Sequence, residues 1–438
     1  MKQTLLLLVL GIILNTEAFG QTFTSYFTGI AIDSISTPNG GVCLMGGATE
    51  NDSAMAWFLQ QANGGDILVL RASGSDGYNN YMYSGLNVNV NSVETIVFNS
   101  ASASNEPYIH QKIEKAEGIW FAGGNQWDYI SYWRNTPVDS LINEAISTRN
   151  IVIGGTSAGM AILGGFYFSA QNGTISSSTA LSNPYNANLT IDSLPFISNN
   201  YLSDVITDTH YDNPDRKGRH IVFLSRILVD YGIAAKGIAC DEYTAVCINN
   251  NGIAKVYGDY PADDDNAYFI QTNCELSNVT PEDCTPGNPL DWNLGNEAIK
   301  VYNVKGTSNG ANTFDLNDWE SGVGGTWEDW YINVGVLNEQ AGLQLNCLSV
   351  SLSDLNQNQT ISLFPNPADN YVVIQFDEFP HTVKSLRIEN SLGQIIKRYS
   401  YPFSMEVIIN TSDLHSGIYY IDITYNDGSL VKRKVIIM

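Results

Sequence analysis

Ile151-Val152-Ile153-Gly154-Gly155-Thr156-Ser157-Ala158-Gly159-Met160 sets a β-branched run directly against a Gly-x-Ser-x-Gly turn. A strand that ends in small residues can turn sharply into a helix, which lifts the Ser157 hydroxyl to the top of a sheet, above the helix N-terminus. The stretch predicts a nucleophile elbow. The plain alternative is a strand-to-helix turn without chemistry, so the reading depends on partners elsewhere in the chain.

Outward from this stretch, apolar runs alternate with amphipathic ones. Val42 to Met45 precedes Ala54 to Ala62; Asp66 to Ala72 stands alone; Val93 to Phe98 precedes Tyr108 to Ala116; Gly118 to Ala122 precedes Trp127 to Trp133. Strands alternating with helices predict a three-layer αβα domain around a mostly parallel sheet, flavodoxin-like in class. Ligands in such sheets bind at the carboxyl ends of the strands. Three of these ends are glycine-rich: Gly46-Gly47, Gly123-Gly124 and Gly154-Gly155. Ser-, Asn- and Thr-rich Gly165 to Asn200 reads as loops, a flap near the site among them. Gly218 to Tyr231 reads as a helix with Ile221, Leu224, Ile227 and Leu228 on one stripe. Gly237 to Asn249 and Gly252 to Gly258 read as two strands joined by the hairpin signal Asn250-Asn251-Gly252. Asp263-Asp264-Asp265 lacks the spaced ligands of a calcium loop and reads as a solvated acidic turn.

The 438 residues carry a formal charge of −24. From Ile361 onward there are 8 acidic and 7 basic side chains, a net of −1, which leaves −23 on the rest and argues for two modules. An acidic body of this kind repels nucleic acid and anionic membranes. Residues 1–20, with Lys2, the apolar run Leu5 to Leu14 and Ala18-Phe19-Gly20, read as a secretory signal peptide. Ten apolar residues are too few to cross a bilayer, which needs about 20. The expected destination is the exterior or the cell surface by way of the periplasm, where disulfides persist. None of Cys43, Cys240, Cys247, Cys274, Cys284 and Cys347 forms a C-x-x-C pair and no histidine cluster joins them, so neither a metal nor another cofactor is expected. Cys274 and Cys284 flank a Pro- and Asp-containing loop and are the expected disulfide; Cys240 and Cys247, on one continuous strand, would face opposite ways.

A serine nucleophile needs a base. Of five histidines, His381 and His415 belong to the C-terminal module, His110 lies in a helix-like run, and His220 lies in the helical stripe beside Arg219. His210, in the polar loop Asp208-Thr209-His210-Tyr211-Asp212-Asn213-Pro214-Asp215-Arg216, is left. Its orienting acid is expected at Asp241-Glu242, two carboxylates inside an otherwise apolar strand, where burial is costly unless they are paired. The resulting chain order Ser, His, acid differs from the Ser, acid, His order of α/β-hydrolases.

The last module opens after the linker 351–360 with Leu363-Phe364-Pro365-Asn366-Pro367-Ala368. It continues through Ser391-Leu392-Gly393-Gln394 and Leu414-His415-Ser416-Gly417-Ile418-Tyr419, and closes on Lys432-Arg433-Lys434-Val435-Ile436. Its alternating strands predict a small all-β sandwich over 361–438. These residues resemble the C-terminal sorting domain of cargo for the type IX secretion system of Bacteroidetes-type bacteria, which implies that secretion machinery as a partner.

The body, 21–350, resembles the cyanophycinase and aspartyl dipeptidase serine peptidases, which share the class I glutamine amidotransferase-like architecture. The resemblance rests on Gly46-Gly47, Gly123-Gly124-Asn125-Gln126, Gly155 to Gly159, Asp208-Thr209-His210-Tyr211 with Arg216 and Arg219, and Gly237-Ile238-Ala239-Cys240-Asp241-Glu242-Tyr243-Thr244-Ala245. It implies Ser157 as nucleophile, His210 as general base and Glu242 as orienting acid. It implies oxyanion donors on the backbone of Gly124 and Ala158, and substrate-holding roles for Gln126, Asp208, Arg216 and Arg219. The implied function is a secreted serine exopeptidase without cofactor. The implied substrate is cyanophycin, a β-linked aspartate–arginine polymer, or another acidic or isopeptide-linked peptide. Pro214 where the family often has arginine, Tyr211 for Phe and Asn125 for Asp depart from the pattern around the substrate but leave the three catalytic types intact. An esterase-like acyl hydrolase and a non-catalytic surface binding protein are the alternatives. Relatives often dimerise, which allows for a homodimer.

Overall fold

The computed structural model describes residues 21–193, 196–347, 361–376, 383–390, 394–400, 406–425 and 430–437. The expected signal peptide 1–20 and linker 351–360, together with His381 and Ser391-Leu392-Gly393, lie outside the described residues. The chain divides into two compact units, Met1–Asn346 and Cys347–Met438.

In the first unit the strands Ser92–Phe98, Asp66–Arg71, Gly118–Phe121, Val152–Thr156 and Val42–Met45 lie side by side in that order, all parallel. Four of them follow the flavodoxin-like order, and Val42–Met45, first of the five in the chain, takes the far position beside the elbow strand. Each strand buries both faces, as a parallel sheet requires. Along Asp66–Arg71, Leu68 and Leu70 face one core with the helices Pro107–Lys115, Gln126–Trp133 and Pro137–Glu144. Ile67 and Val69 face the other core, with Met55, Phe58 and Leu59 of helix Asp52–Gln61. This is the expected three-layer αβα, class I glutamine amidotransferase-like fold.

Antiparallel strands extend the parallel centre on both sides, so the whole sheet is mixed. Phe23–Gly29, which the alternation did not reveal, pairs antiparallel with Ser92–Phe98 at one edge. Ala245–Ile248 pairs antiparallel with Val42–Met45 at the other, and Ile253–Tyr257, Asn312–Asp315 and Gly322–Val323 follow. A second sheet of six strands contains Val205–Asp208 and Lys236–Cys240, parallel to each other, and four antiparallel strands from 266–341.

The expected single strand Gly237 to Asn249 is in fact two, in different sheets, so Cys240 and Cys247 share no strand. The break at Asp241–Thr244 is held by Asp241 N–H donating to the Asn266 carbonyl and Tyr243 N–H to the Gly47 carbonyl, with Tyr243 in the left-handed region at φ 63°. Helix Lys217–Tyr231 forms as read, burying Ile221, Leu224 and Ile227 and ending at left-handed Gly232. The expected Cys274–Cys284 disulfide does not form: Cys284 is a free thiol buried against the Ser225 hydroxyl at 3.7 Å, whereas Cys274 and Cys347 are disulfide-bonded.

The second unit is an all-β sandwich. A three-stranded sheet of Ile361–Phe364, Tyr371–Phe376 and Glu406–Asn410 accompanies a four-stranded sheet of Ile395–Ser400, Val383–Asn390, Gly417–Tyr425 and Leu430–Ile437. Its core holds Val372, Ile374, Leu386, Ile388, Ile409, Ile421 and Ile423. Among the described residues, no helix is long and apolar enough to cross a membrane.

Candidate active site

Gly118–Phe121, Val152–Thr156 and Val42–Met45 are adjacent and parallel, so the turns Gly123-Gly124, Ser157-Ala158 and Gly46-Gly47 emerge side by side at one end of the sheet. Ala245–Ile248 runs the other way, with Ala245 opposite Met45, and so delivers the Glu242–Thr244 turn to the same end.

Ser157 sits at φ 53°, ψ −117°, outside the ordinary region for a residue with a side chain. Its N–H donates to the Met45 carbonyl at 3.0 Å, and its carbonyl accepts from Ala161 N–H. The small residues around it are required. A Cβ on Gly159 would fall 2.0 Å from the Phe121 carbonyl oxygen, and one on Gly155 would fall 2.5 Å from Gly159 itself. The helix that follows is short, Ala158–Ala161, and Ala158 N–H at its first position has no intrahelical acceptor.

The Ser157 hydroxyl lies 2.8 Å from His210 Nε2, and His210 Nδ1 lies 2.6 Å from Glu242 Oε1. With Nδ1 donating to a carboxylate, Nε2 is left as the acceptor for the serine O–H. Asn213 donates to the other Glu242 oxygen at 3.3 Å, and the Glu242 N–H donates to Asp212 Oδ1 at 2.9 Å. The hydrogen bond from His210, helped by Asn213, holds the Glu242 carboxyl below its ordinary range. His210 is itself clamped: its N–H donates to the Gly46 carbonyl, and a Cβ on Gly47 would fall 2.5 Å from its ring. Side-chain exposures of 22% for His210 and 17% for Glu242 leave the imidazole reachable from solvent.

A Cβ on Gly123 would be 3.7 Å from that of Ser157, so the Gly123-Gly124 turn stands directly beside the hydroxyl. The Tyr129 hydroxyl is shared between the Ala122 and Gly123 carbonyls at 2.9 and 3.0 Å. Because the peptide is planar and trans, the Gly124 N–H points away from Tyr129. Asn125 caps the next helix by accepting from Trp127 N–H. Gln126 donates to the Phe168 carbonyl at 2.7 Å, which ties the helix to the 165–200 loops.

Asp208 and Arg219, expected to hold substrate, hold each other. Arg219 Nε donates to Asp208 Oδ2 at 2.8 Å and Nη2 to Oδ1, with both side chains 4% exposed. Burial alone would raise the Asp208 carboxyl, but the Arg219 charge keeps it below its ordinary range. The fork that would receive a substrate carboxylate is therefore occupied inside the protein. Arg216 Nη1 donates to the Thr209 carbonyl at 3.0 Å and steadies the loop that presents His210. His220 is fully buried, and burial lowers it to about 4, so it stays neutral. Burial raises Asp241, the other acid of the pair, to about 7; its carboxylate accepts from Asn266 and does not reach His210.

Ser157, His210, Gly47 and Gly123 line an open cleft of about 650 Å³ whose other walls were not anticipated: Glu50, Asp52, Arg71, Tyr78 and Tyr81. The Tyr78 hydroxyl donates to Glu50 and the Tyr81 hydroxyl to Asp52 at 2.8 Å, and Arg71 is wrapped by the Ser73 and Ser75 carbonyls. Glu50 and Asp52 follow the end of strand Val42–Met45, and Arg71, Tyr78 and Tyr81 lie at and just beyond the end of strand Asp66–Arg71; only that position at the strand ends could have flagged them.

Residues 42–256 match the profile of peptidase family S51, and residues 362–438 that of the secretion system C-terminal sorting domain. A cyanophycinase from Geminocystis herdmanii is 27% identical over 139 residues, 31% of this chain and 47% of its own. One from Trichormus variabilis is 24% identical over 154 residues, 34% of this chain and 45% of its own. The chain thus spans about half the length of these curated relatives. A putative peptidase E from Listeria monocytogenes has 19% identity and a TM-score of 0.33, covering 50% of this chain and 98% of that structure. With the S51 match lying on the Ser157 sheet and the other on the β-sandwich, the chain carries a peptidase family S51 domain followed by a secretion system C-terminal sorting domain.

Proposed function

We propose that the chain is an exported serine exopeptidase in which Ser157 is the nucleophile, His210 the general base and Glu242 its orienting acid. The observation that carries this reading is the unbroken hydrogen-bond run from Ser157 Oγ through both ring nitrogens of His210 to Glu242. Ser157 Oγ attacks the scissile carbonyl while Nε2 takes its proton. The Ala158 and Gly124 N–H groups stabilise the oxyanion, and His210 returns the proton to the leaving amine. Water, activated in turn by His210, releases the acyl group. The sorting domain implies secretion or display at the cell surface.

Glu50 and Asp52 together with the cationic Arg71 in the lining of the cleft favour a substrate bearing both a cation and a carboxylate. A β-aspartyl-arginine unit has both, and the cyanophycinase relatives support that choice. Turnover of a β-aspartyl-arginine peptide, its α-linked isomer and a neutral ester by the purified chain tests this. The expected order of kcat/KM is β-linked above α-linked above ester. Ester turnover without peptide turnover would replace the peptidase reading with an acyl hydrolase.

A further inference from the structure

Cys43 and Cys247 lie directly opposite each other on the paired strands Val42–Met45 and Ala245–Ile248, their sulfurs 3.6 Å apart. The Gly46 N–H donates to the carbonyl of Thr244, its neighbour one step beyond the Met45–Ala245 pair. Hydrogen-bonded and non-hydrogen-bonded pairs alternate along an antiparallel ladder, so Cys43–Cys247 is a non-hydrogen-bonded pair, whose Cα atoms approach to about 4.5 Å. A disulfide accepts Cα separations of roughly 4.4–6.8 Å. Rotation of the two side chains is then enough to bring the sulfurs to bonding distance. Both residues are fully buried, and neither takes part in the hydrogen bonds of the site.

We propose that Cys43 and Cys247 are joined by a disulfide in the exported protein, a modification that rests on the export implied by the sorting domain and not on the catalytic reading. The oxidant is the disulfide of a thiol–disulfide oxidoreductase. The thiolate of one cysteine attacks that disulfide, forming a mixed disulfide and expelling one oxidoreductase thiolate. The thiolate of the other cysteine then attacks the sulfur bound in the mixed disulfide, closing Cys43–Cys247 and expelling the second. Two electrons and two protons leave the chain, and the oxidant becomes a dithiol. In the folded chain both sulfurs are shut away and burial pushes the Cys247 thiol well up, so the exchange belongs to the chain before these strands close. The bond spans 204 residues. It clamps the strand whose Met45 and Gly46 carbonyls seat Ser157 and His210 to the strand that leaves the Glu242 turn.

The test takes the full chain recovered from outside expressing cells, denatures it in excess N-ethylmaleimide without reductant, and maps the peptides by mass. The Cys43 and Cys247 peptides should be linked and free of maleimide, with Cys240 and Cys284 modified. Maleimide on both Cys43 and Cys247 would overturn the proposal. A Cys43→Ala/Cys247→Ala double variant separates the bond from simple packing. Its thermal midpoint should lie below that of the wild type without reductant, and the gap should shrink when both are reduced before melting. A gap of unchanged size would count against the bond.

Discussion

Arg219 shows how one guanidinium can be claimed by the fold. Its two hydrogen bonds with Asp208 and the burial of both side chains make it a support for the strand that ends at Asp208, two residues before His210. Arg219→Ala would leave a buried carboxylate without its cation, which costs about 3–5 kcal/mol. The expected outcome in thermal unfolding is a large fall in the midpoint, with activity falling equally on charged and neutral substrates. Arg219→Lys should rescue little, because an ammonium cannot make the paired fork. A selective loss on acidic substrates at wild-type stability would return Arg219 to the cleft. The strained backbone of Ser157 is the other residue-scale feature. A non-glycine residue in such a region costs on the order of 1–3 kcal/mol and persists only where its surroundings over-determine it. Here the Met45 carbonyl and the contacts of Gly155 and Gly159 do so.

At the scale of elements, the site is a property of turns. Gly47, at φ 118°, has no room for a Cβ because the His210 ring occupies that space. Gly47→Ala should therefore slow hydrolysis by at least about 100-fold through displacement of the imidazole, the scale of a misplaced catalytic group. Circular dichroism should still report the folded domain; wild-type turnover would show that His210 is positioned otherwise. The Asp241–Thr244 break carries a pH signature. Folded Asp241 holds its proton to about 7, against an ordinary value of 3.8, because burial penalises the anion. The folded state thus binds more protons than the unfolded chain between these values, and stability falls as pH rises from about 4 through 7. Buried Glu117, also raised to about 7, contributes the same slope. Asp241→Asn should flatten part of it in urea unfolding across that range; an unchanged slope would mean that Asp241 is ionised in the fold.

The elements legible in the sequence were those with a strong local signal: the β-branched runs before glycine, the helical stripe of Ile221, Leu224 and Ile227, and the Asn250-Asn251-Gly252 hairpin. The Asp241–Thr244 break was not, because its cause is a pair of hydrogen bonds to Gly47 and Asn266, far away in the chain. Phe23–Gly29 gives no alternating burial, as an edge strand with one partner does not need it. Ser157 and His210 could be proposed from residue types and their settings, and the acid as one of Asp241 and Glu242; the family resemblance chose Glu242. The joining of Glu50 and Asp52 with Arg71 in one cleft could not be proposed, since it requires the ends of separate strands to meet.

At the scale of the molecule, the two compact units divide the charge unevenly, with −22 on Met1–Asn346 and −2 on Cys347–Met438. Each has its own core, so removing Ile361 to Met438 should leave kcat/KM within about twofold of the full chain. Delivery outside the cell should be lost, as fractionation of expressing cells would show; equal extracellular amounts of both chains would contradict the sorting role. Labelling by a fluorophosphonate, followed by mass mapping, tests the central claim most directly, because it reads the nucleophile without knowledge of the substrate. The wild type should take up one label, on Ser157, with Ser157→Ala unlabelled and His210→Ala slowed by about 10²-fold or more for want of its base. Label on another residue, or equal labelling of Ser157→Ala, would contradict the account.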